Sequence, residues 1–298
     1  MIRRSLWIAV VALVGGGSVA AWTVTEPDGR QVSATGLQGS VERGAYVARL
    51  SGCIGCHSDS AGNGPVLAGG APIRTEFGTF RAPNITPHPE DGIGNWTFDQ
   101  FATALVRGRN PQGHAYYPVF PYPFYSALTD QDIVDLWAAV RSVPAIAGRP
   151  EGHDLSFPFG FRFGLDFWQR LYFEPDHLEP EPGKTESWNR GRYLARAAAH
   201  CGACHTPRNI LGGRDETREL AGGDGPDGEK SPDIRGSALE SRGWSRKDTI
   251  YALRTGITPK GDLFGGAMRE VVRDGTRFWS DADLAALVDY IYEPETDR

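Results

Sequence analysis

The chain's four cysteines fall in two pairs, each followed by a histidine: Cys53-Ile54-Gly55-Cys56-His57 and Cys201-Gly202-Ala203-Cys204-His205. The pattern C-x-x-C-H is the attachment signal for a c-type haem. Two intervening residues let both sulfurs reach the two vinyl groups of one haem, and the histidine is placed to ligate the iron on its proximal face. The competing interpretation is a pair of zinc or redox C-x-x-C motifs. A zinc ribbon built across the pairs needs no histidine after each second cysteine, and a thioredoxin-like motif belongs in a βαβ pattern that is missing here. The sequence therefore predicts two covalently bound haem c groups, held by Cys53, Cys56, Cys201 and Cys204, with His57 and His205 on iron.

A six-coordinate haem needs a distal ligand as well, usually Met or His in electron-transfer cytochromes. Apart from the initiator, the one methionine is Met268, in Gly265-Gly266-Ala267-Met268 ahead of the last helix. It is the expected distal ligand of haem 2. A shift of 148 residues lays the first motif on the second and brings position 268 onto Phe120, which cannot ligate iron. Haem 1 then has three candidate arrangements. His114 leads on loop position, in Gly113-His114-Ala115-Tyr116-Tyr117-Pro118; an open iron follows, then His88. Tyr116 and Tyr117 rank lower. Met ligation raises the reduction potential, so electrons are expected to run from haem 1 to haem 2. His200, just before Cys201, is expected to be a partly exposed side chain at the haem edge, and His153 and His177 to be structural.

The elements that position these residues recur. In the same 148-residue register Trp96 meets Trp244, and Gly108, Pro111 and Gly113 meet Gly256, Pro259 and Gly261. One step off it, Gly44-Ala45-Tyr46 meets Gly191-Arg192-Tyr193 and Pro83-Asn84-Ile85 meets Pro232-Asp233-Ile234. Such self-similarity reads as a tandem duplication with one haem per copy. Helix starts are expected at Thr97, Thr129, Ser245 and Ser280, each with an acid or amide three residues on. Residues 41–50 read as a helix leading into Cys53. Apolar faces at helical spacing mark the last helix of each copy: Ile133, Leu136, Trp137 and Val140, then Leu284, Leu287, Val288 and Ile291. Each last helix should pack on the helix preceding its C-x-x-C-H. The expected fold is mainly α: two tandem class I cytochrome c domains at residues 41–143 and 187–298. Residues 1–24 form a signal or anchor segment, 25–40 a tether, and 144–186 an aromatic and acidic segment. That segment either packs along both domains or offers a docking surface to a partner or membrane.

Composition agrees. Gly 38 and Pro 21 suit a loop-rich fold around a cofactor, and a formal net charge of −6 argues against nucleic acid as a partner. Arg3 and Arg4 precede an apolar run at residues 6–24, the pattern of an export signal. Ser18-Val19-Ala20 resembles a cleavage site, while the length of the run favours a retained membrane anchor. Either way the body is expected on the periplasmic side of a bacterial inner membrane.

The chain resembles the periplasmic dihaem cytochromes c that serve as electron-transfer subunits of membrane-associated alcohol, sugar-acid and aldehyde dehydrogenases. The resemblance is carried by Arg43-Gly44-Ala45-Tyr46, Ala82-Pro83-Asn84-Ile85-Thr86-Pro87, Gly92-Ile93-Gly94-Asn95-Trp96-Thr97, Tyr117-Pro118-Val119-Phe120-Pro121-Tyr122 and His200-Cys201-Gly202-Ala203-Cys204-His205-Thr206-Pro207-Arg208-Asn209. It covers about residues 40 to 295 and implies a relay. A dehydrogenase catalytic subunit would reduce one haem, and quinone, another cytochrome or an oxidase would accept the electron. Some family members carry Met where this chain has Phe120. The alternative is a dihaem enzyme with an open haem 1 iron, acting on thiosulfate or peroxide.

Overall fold

The computed structural model describes residues 30–175, 178–225 and 228–294. The apolar run at 6–24 and His177 lie outside them. Among the described residues no helix is long and apolar enough to cross a membrane.

The chain is mainly helical. Ser40 caps α1 (Val41–Leu50), accepting from the Arg43 N–H. The first motif forms α2 (Cys53–His57). A hairpin of β1 (Ile73–Thr75) and β2 (Gly78–Phe80) follows, then α3 (Phe98–Arg107), α4 (Tyr122–Tyr125) and α5 (Asp130–Ser142). Strand β3 (Asp154–Leu155) pairs antiparallel with β2, placing Leu155 opposite Gly78. Next come α6 (Phe163–Tyr172), α7 (Glu186–Tyr193), a π-helical turn (Leu194–Ala198) and α8 (Gly202–His205). The chain finishes with β4 (Gly223–Asp224), β5 (Lys230–Ser231), α9 (Gly236–Ser241), α10 (Arg246–Thr255), α11 (Gly266–Asp274) and α12 (Asp281–Tyr292).

The four anticipated caps are present: Thr97, Thr129, Ser245 and Ser280 each accept from the N–H three residues on. As the apolar faces require, α1 packs on α5 and α7 on α12. Ile133, Leu136 and Val140 are at most 2 % exposed, as are Leu284, Leu287 and Val288. Each such side chain contributes roughly 1.5–3 kcal/mol of burial. The helices touch closely at Gly44 and Gly191, where an added Cβ would lie 1.9 Å from the carbonyl oxygens of Asp135 and Ala286.

The π-helical turn accounts for a detail of the sequence. Gly44 and Gly191 are 147 apart, but Cys53 and Cys201 are 148 apart, so the second copy carries one extra residue before its motif. The wide turn at Leu194–Ala198 absorbs it, with Ala199 N–H donating to Leu194 O at 2.7 Å.

The two repeats also cap each other. The Tyr46 hydroxyl donates to Asp283 at 2.6 Å and accepts from Ser280 N–H at 2.9 Å, at the start of α12. Its counterpart Tyr193 donates to Asp132 and accepts from Thr129 N–H, at the start of α5. One cluster of buried residues, from Val47 to Ile291, draws on both repeats.

The segment between the repeats reaches both. Gln169 of α6 donates to the carbonyls of Arg107 and Gly108, while Trp168 Nε1–H donates to Leu211 O at 2.8 Å. Its outer side stays apolar: Phe157 is 85 % and Phe163 82 % exposed. His153 is structural, its ring against Phe80 and Tyr117.

Buried carboxylates lock the helix pairs. Asp135, whose side chain is 1 % exposed, takes Arg43 Nε at 2.8 Å and Ser40 N–H at 2.7 Å. Burial works to raise its pKa, but the bonds from Arg43, Ser40 and Gln131 outweigh it and hold the carboxyl below its ordinary 3.8. Asp283 is lowered in the same way, burial being outweighed by Arg190 and Tyr46. A depressed folded pKa stabilises the fold above the unfolded value, and that stability is lost as pH falls through the folded one. Thermal unfolding of the haem-loaded protein should therefore show a melting temperature that drops below about pH 4, and Asp135→Asn should flatten that drop. An unchanged acid slope in the variant would show that Asp135 is not a contributor.

Candidate haem-binding site

On α2, Cys53, Cys56 and His57 stand at i, i+3 and i+4, which places them on one helical face. Cys201 heads α8 and gives the second motif the same layout. All four cysteines are unpaired. Burial pushes the Cys53 thiol up to about 12, with Cys56 adding to it, and the Cys201 thiol up to about 12. The Cys56 thiol is pushed up to about 11, first by burial, then by Glu270, Cys204 and Asp274. Among the described residues no three of His, Cys, Asp and Glu converge as a metal cluster.

The histidines are oriented for iron. His57 Nδ1 lies 2.8 Å from the carbonyl oxygen of Pro83, and His205 Nδ1 2.7 Å from that of Pro232. A carbonyl can only accept, so Nδ1 carries the proton and the Nε2 lone pair is left for a metal. Burial lowers both imidazoles below their ordinary 6.5 against the opposing carbonyl bond, so both are neutral at pH 7. The Pro83 loop is itself pinned. Asn84 donates to Ile146 O at 2.7 Å and Gly148 O at 2.9 Å and accepts from Thr86 N–H at 2.9 Å. The repeated Pro83-Asn84-Ile85 and Pro232-Asp233-Ile234 stretches were the signal for this support. Its agent is a main-chain carbonyl, which leaves no side-chain signature. Glycines let the chain close over each motif: a Cβ at Gly70 would lie 1.8 Å from Cys56 O, and one at Gly223 2.6 Å from Cys204 O. Thiol spacing, histidine tautomer and these close approaches fit a covalent haem at each motif.

On the distal side the repeats diverge. Met268 lies half-buried in the first turn of α11. Phe120 packs its ring against Tyr116, Tyr122 and Tyr125 at 5.4–6.3 Å. Burial pushes Tyr116 up to about 12 and Tyr125, beside Cys53, well above its ordinary range. His114 is exposed at a turn in which Asn110 N–H donates to His114 O at 3.0 Å. The matching turn of the second repeat has Thr258 N–H donating to Asp262 O at 2.8 Å, so His114 holds the place of Asp262. His88 accepts from Asp91 N–H at 3.0 Å in the loop that follows Pro83.

The two motifs face each other's repeat. Helix α11 packs on α2, with Asp274 near Gly55, and Phe124 of α4 lies against Gly202. Charged side chains of both signs line each motif. Beside Cys56 stand Glu270 and Asp274, the latter paired with Arg273 at 2.6 Å. Beside the second motif, Arg208 donates to Ala203 O at 2.9 Å, and the Arg214 guanidinium lies 4.1 Å from the Phe124 ring and pairs with Glu216 at 2.9 Å. His200 does not point outward as expected. Its ring lies between Gly52, Phe124 and Tyr125, and burial pushes it down to about 4.

Two short helices that each present Cys, Cys and a carbonyl-oriented His within a helical fold define a c-type cytochrome. No protein-family model matches the chain. It is 38% identical over 294 residues to the diheme cytochrome c-type of Cereibacter sphaeroides, covering 97% of this chain and 98% of that one. It is 38% identical over 264 residues to the cytochrome c subunit of alcohol dehydrogenase (quinone) of Gluconobacter oxydans, covering 84% of this chain and 54% of that one. It is 36% identical over 293 residues to the fructose dehydrogenase cytochrome subunit of Gluconobacter japonicus, covering 95% and 57%. The chain thus spans about half the length of these dehydrogenase subunits. It belongs to the dihaem cytochrome c family, carries two covalently bound haem c groups and is an electron-transfer cytochrome.

Proposed function

We propose that the chain is a two-site relay on the periplasmic side of the membrane. It takes electrons from the catalytic subunit of a dehydrogenase and hands them to quinone, another cytochrome or an oxidase. Each repeat acts as a class I cytochrome c domain, and residues 6–24 tether the body to the bilayer. When bound, each haem supplies a one-electron couple. His57 and His205 would ligate the iron through Nε2, with Pro83 and Pro232 holding their rings. Met268 would complete the second site, and His114 is the leading candidate at the first.

The observation that carries the relay is the repeated orientation of His57 and His205, each ring held by a proline carbonyl with Nε2 left for iron. Met ligation at the second site would raise its reduction potential and draw electrons toward it. Phe120 at the Met268 register and the exposed His114 favour a second reading, an open first site working on a small substrate.

Optical and paramagnetic-resonance spectra of the oxidised protein separate the two. The relay with His114 ligation expects two low-spin haems in the wild type and one high-spin haem in His114→Ala. A wild-type high-spin haem that binds cyanide quickly would move the enzyme reading ahead. Two low-spin haems in both proteins would remove His114 from the ligand set and leave the relay standing.

A further inference from the structure

We infer that His200 is the link through which electrons cross between the two haem attachment loops, a positioning residue for transfer within the protein. The inference rests on the relay reading, since it takes both haems to be redox-active.

Three observations carry it. First, His200 occupies the position of Gly52 in the repeat, and both residues precede the first cysteine of their motif. Both are left-handed, with φ of +67° at Gly52 and +45° at His200. Glycine adopts that conformation without a steric cost, whereas a residue with a Cβ is strained in it. The second repeat keeps a histidine where the first keeps the residue the backbone favours. Second, the imidazole fills the space that Gly52 leaves. A Cβ on Gly52 would lie 3.4 Å from His200 Nε2, so a single ring occupies the gap between the loops. Third, the ring is fixed. It packs against Phe124 and Tyr125, with centroids 6.0 and 5.7 Å away. The Tyr125 ring is itself tied to the Gly52 loop, its hydroxyl donating to Ser51 O, and Ser51 is 1 % exposed.

The consequence is a short path. Cys201 is bonded to His200, the His200 ring meets Gly52, and Gly52 is bonded to Cys53. One non-covalent step separates the two residues that carry the attached groups. Tunnelling falls off more steeply across gaps than along bonded atoms, so filling this gap with a fixed aromatic ring favours transfer.

The test is His200→Gly in the haem-loaded protein, with His200→Asn as a second variant that also tolerates the left-handed backbone. If His200 only packs, glycine relieves strain and transfer is unchanged. If it is the link, redistribution of an electron between the haems after flash reduction slows several-fold in both variants, while each haem keeps its spectrum and midpoint potential. An unchanged rate overturns the inference. So does a slower rate accompanied by a shifted spectrum or potential, which would mean a distorted site. A wild type with no exchange between its haems would fell the relay reading, and this inference with it.

Discussion

In Met268→Ala the sulfur-to-iron band of the oxidised protein disappears and the midpoint potential of haem 2 falls by on the order of 100 mV. The thioether stabilises the reduced iron, and the first turn of α11 offers no second soft ligand, since its neighbours are Gly266, Ala267, Arg269 and Glu270. For a one-electron couple about 59 mV is a decade, so the equilibrium share of electrons at the second site drops by roughly two decades. The haem 1 spectrum should not change, because the first repeat carries Phe120 at the Met268 register and draws no ligand from α11. A redox titration followed optically measures both effects. Persistence of the band would remove Met268 from the ligand set and with it the Met contribution to the direction of transfer.

Gly44→Ala should destabilise the protein by about 3 kcal/mol, although alanine is the better helix former by about 1 kcal/mol. The sign follows from packing. An alanine Cβ at position 44 would lie 1.9 Å from Asp135 O and 2.8 Å from Ala139 Cβ, so α1 and α5 would have to part. Their separation also pulls at Asp135, whose carboxylate holds Arg43 and the Ser40 cap. Gly164→Ala is the control: that glycine lies in α6 with nothing within 4 Å of an added Cβ. It should be neutral or gain up to about 1 kcal/mol. Denaturant unfolding of both variants decides the matter. Equal signs would mean that helix propensity, not the α1–α5 contact, governs position 44.

Much of the site is written locally. C-x-x-C-H has a fixed covalent logic, so the binding of two haem c groups was legible from the spacing of Cys53, Cys56 and His57 and of Cys201, Cys204 and His205. Capping residues and apolar periodicity act within one helix: the caps foretold the starts of α3, α5, α10 and α12, and the periodicity foretold the faces that α5 and α12 bury. The repeat was equally visible, down to the extra residue that becomes the π-helical turn.

What the sequence by itself determined is therefore the chemistry and its duplication: two covalent haem sites, one methionine to share between them, and a helical frame for each. Only the tertiary structure decided which groups surround those sites. Tyr46 caps α12 and Tyr193 caps α5, each from the other repeat. Pro83 and Pro232 set the histidine tautomers through carbonyls that no motif encodes. Glu270 and Asp274 come to Cys56 from more than two hundred residues away in the chain, and His200 turns inward rather than out. The physical reason is range. Covalent spacing and helical periodicity are properties of neighbours along the chain, whereas charge, burial and tautomer at a haem depend on what the fold brings across from the other repeat.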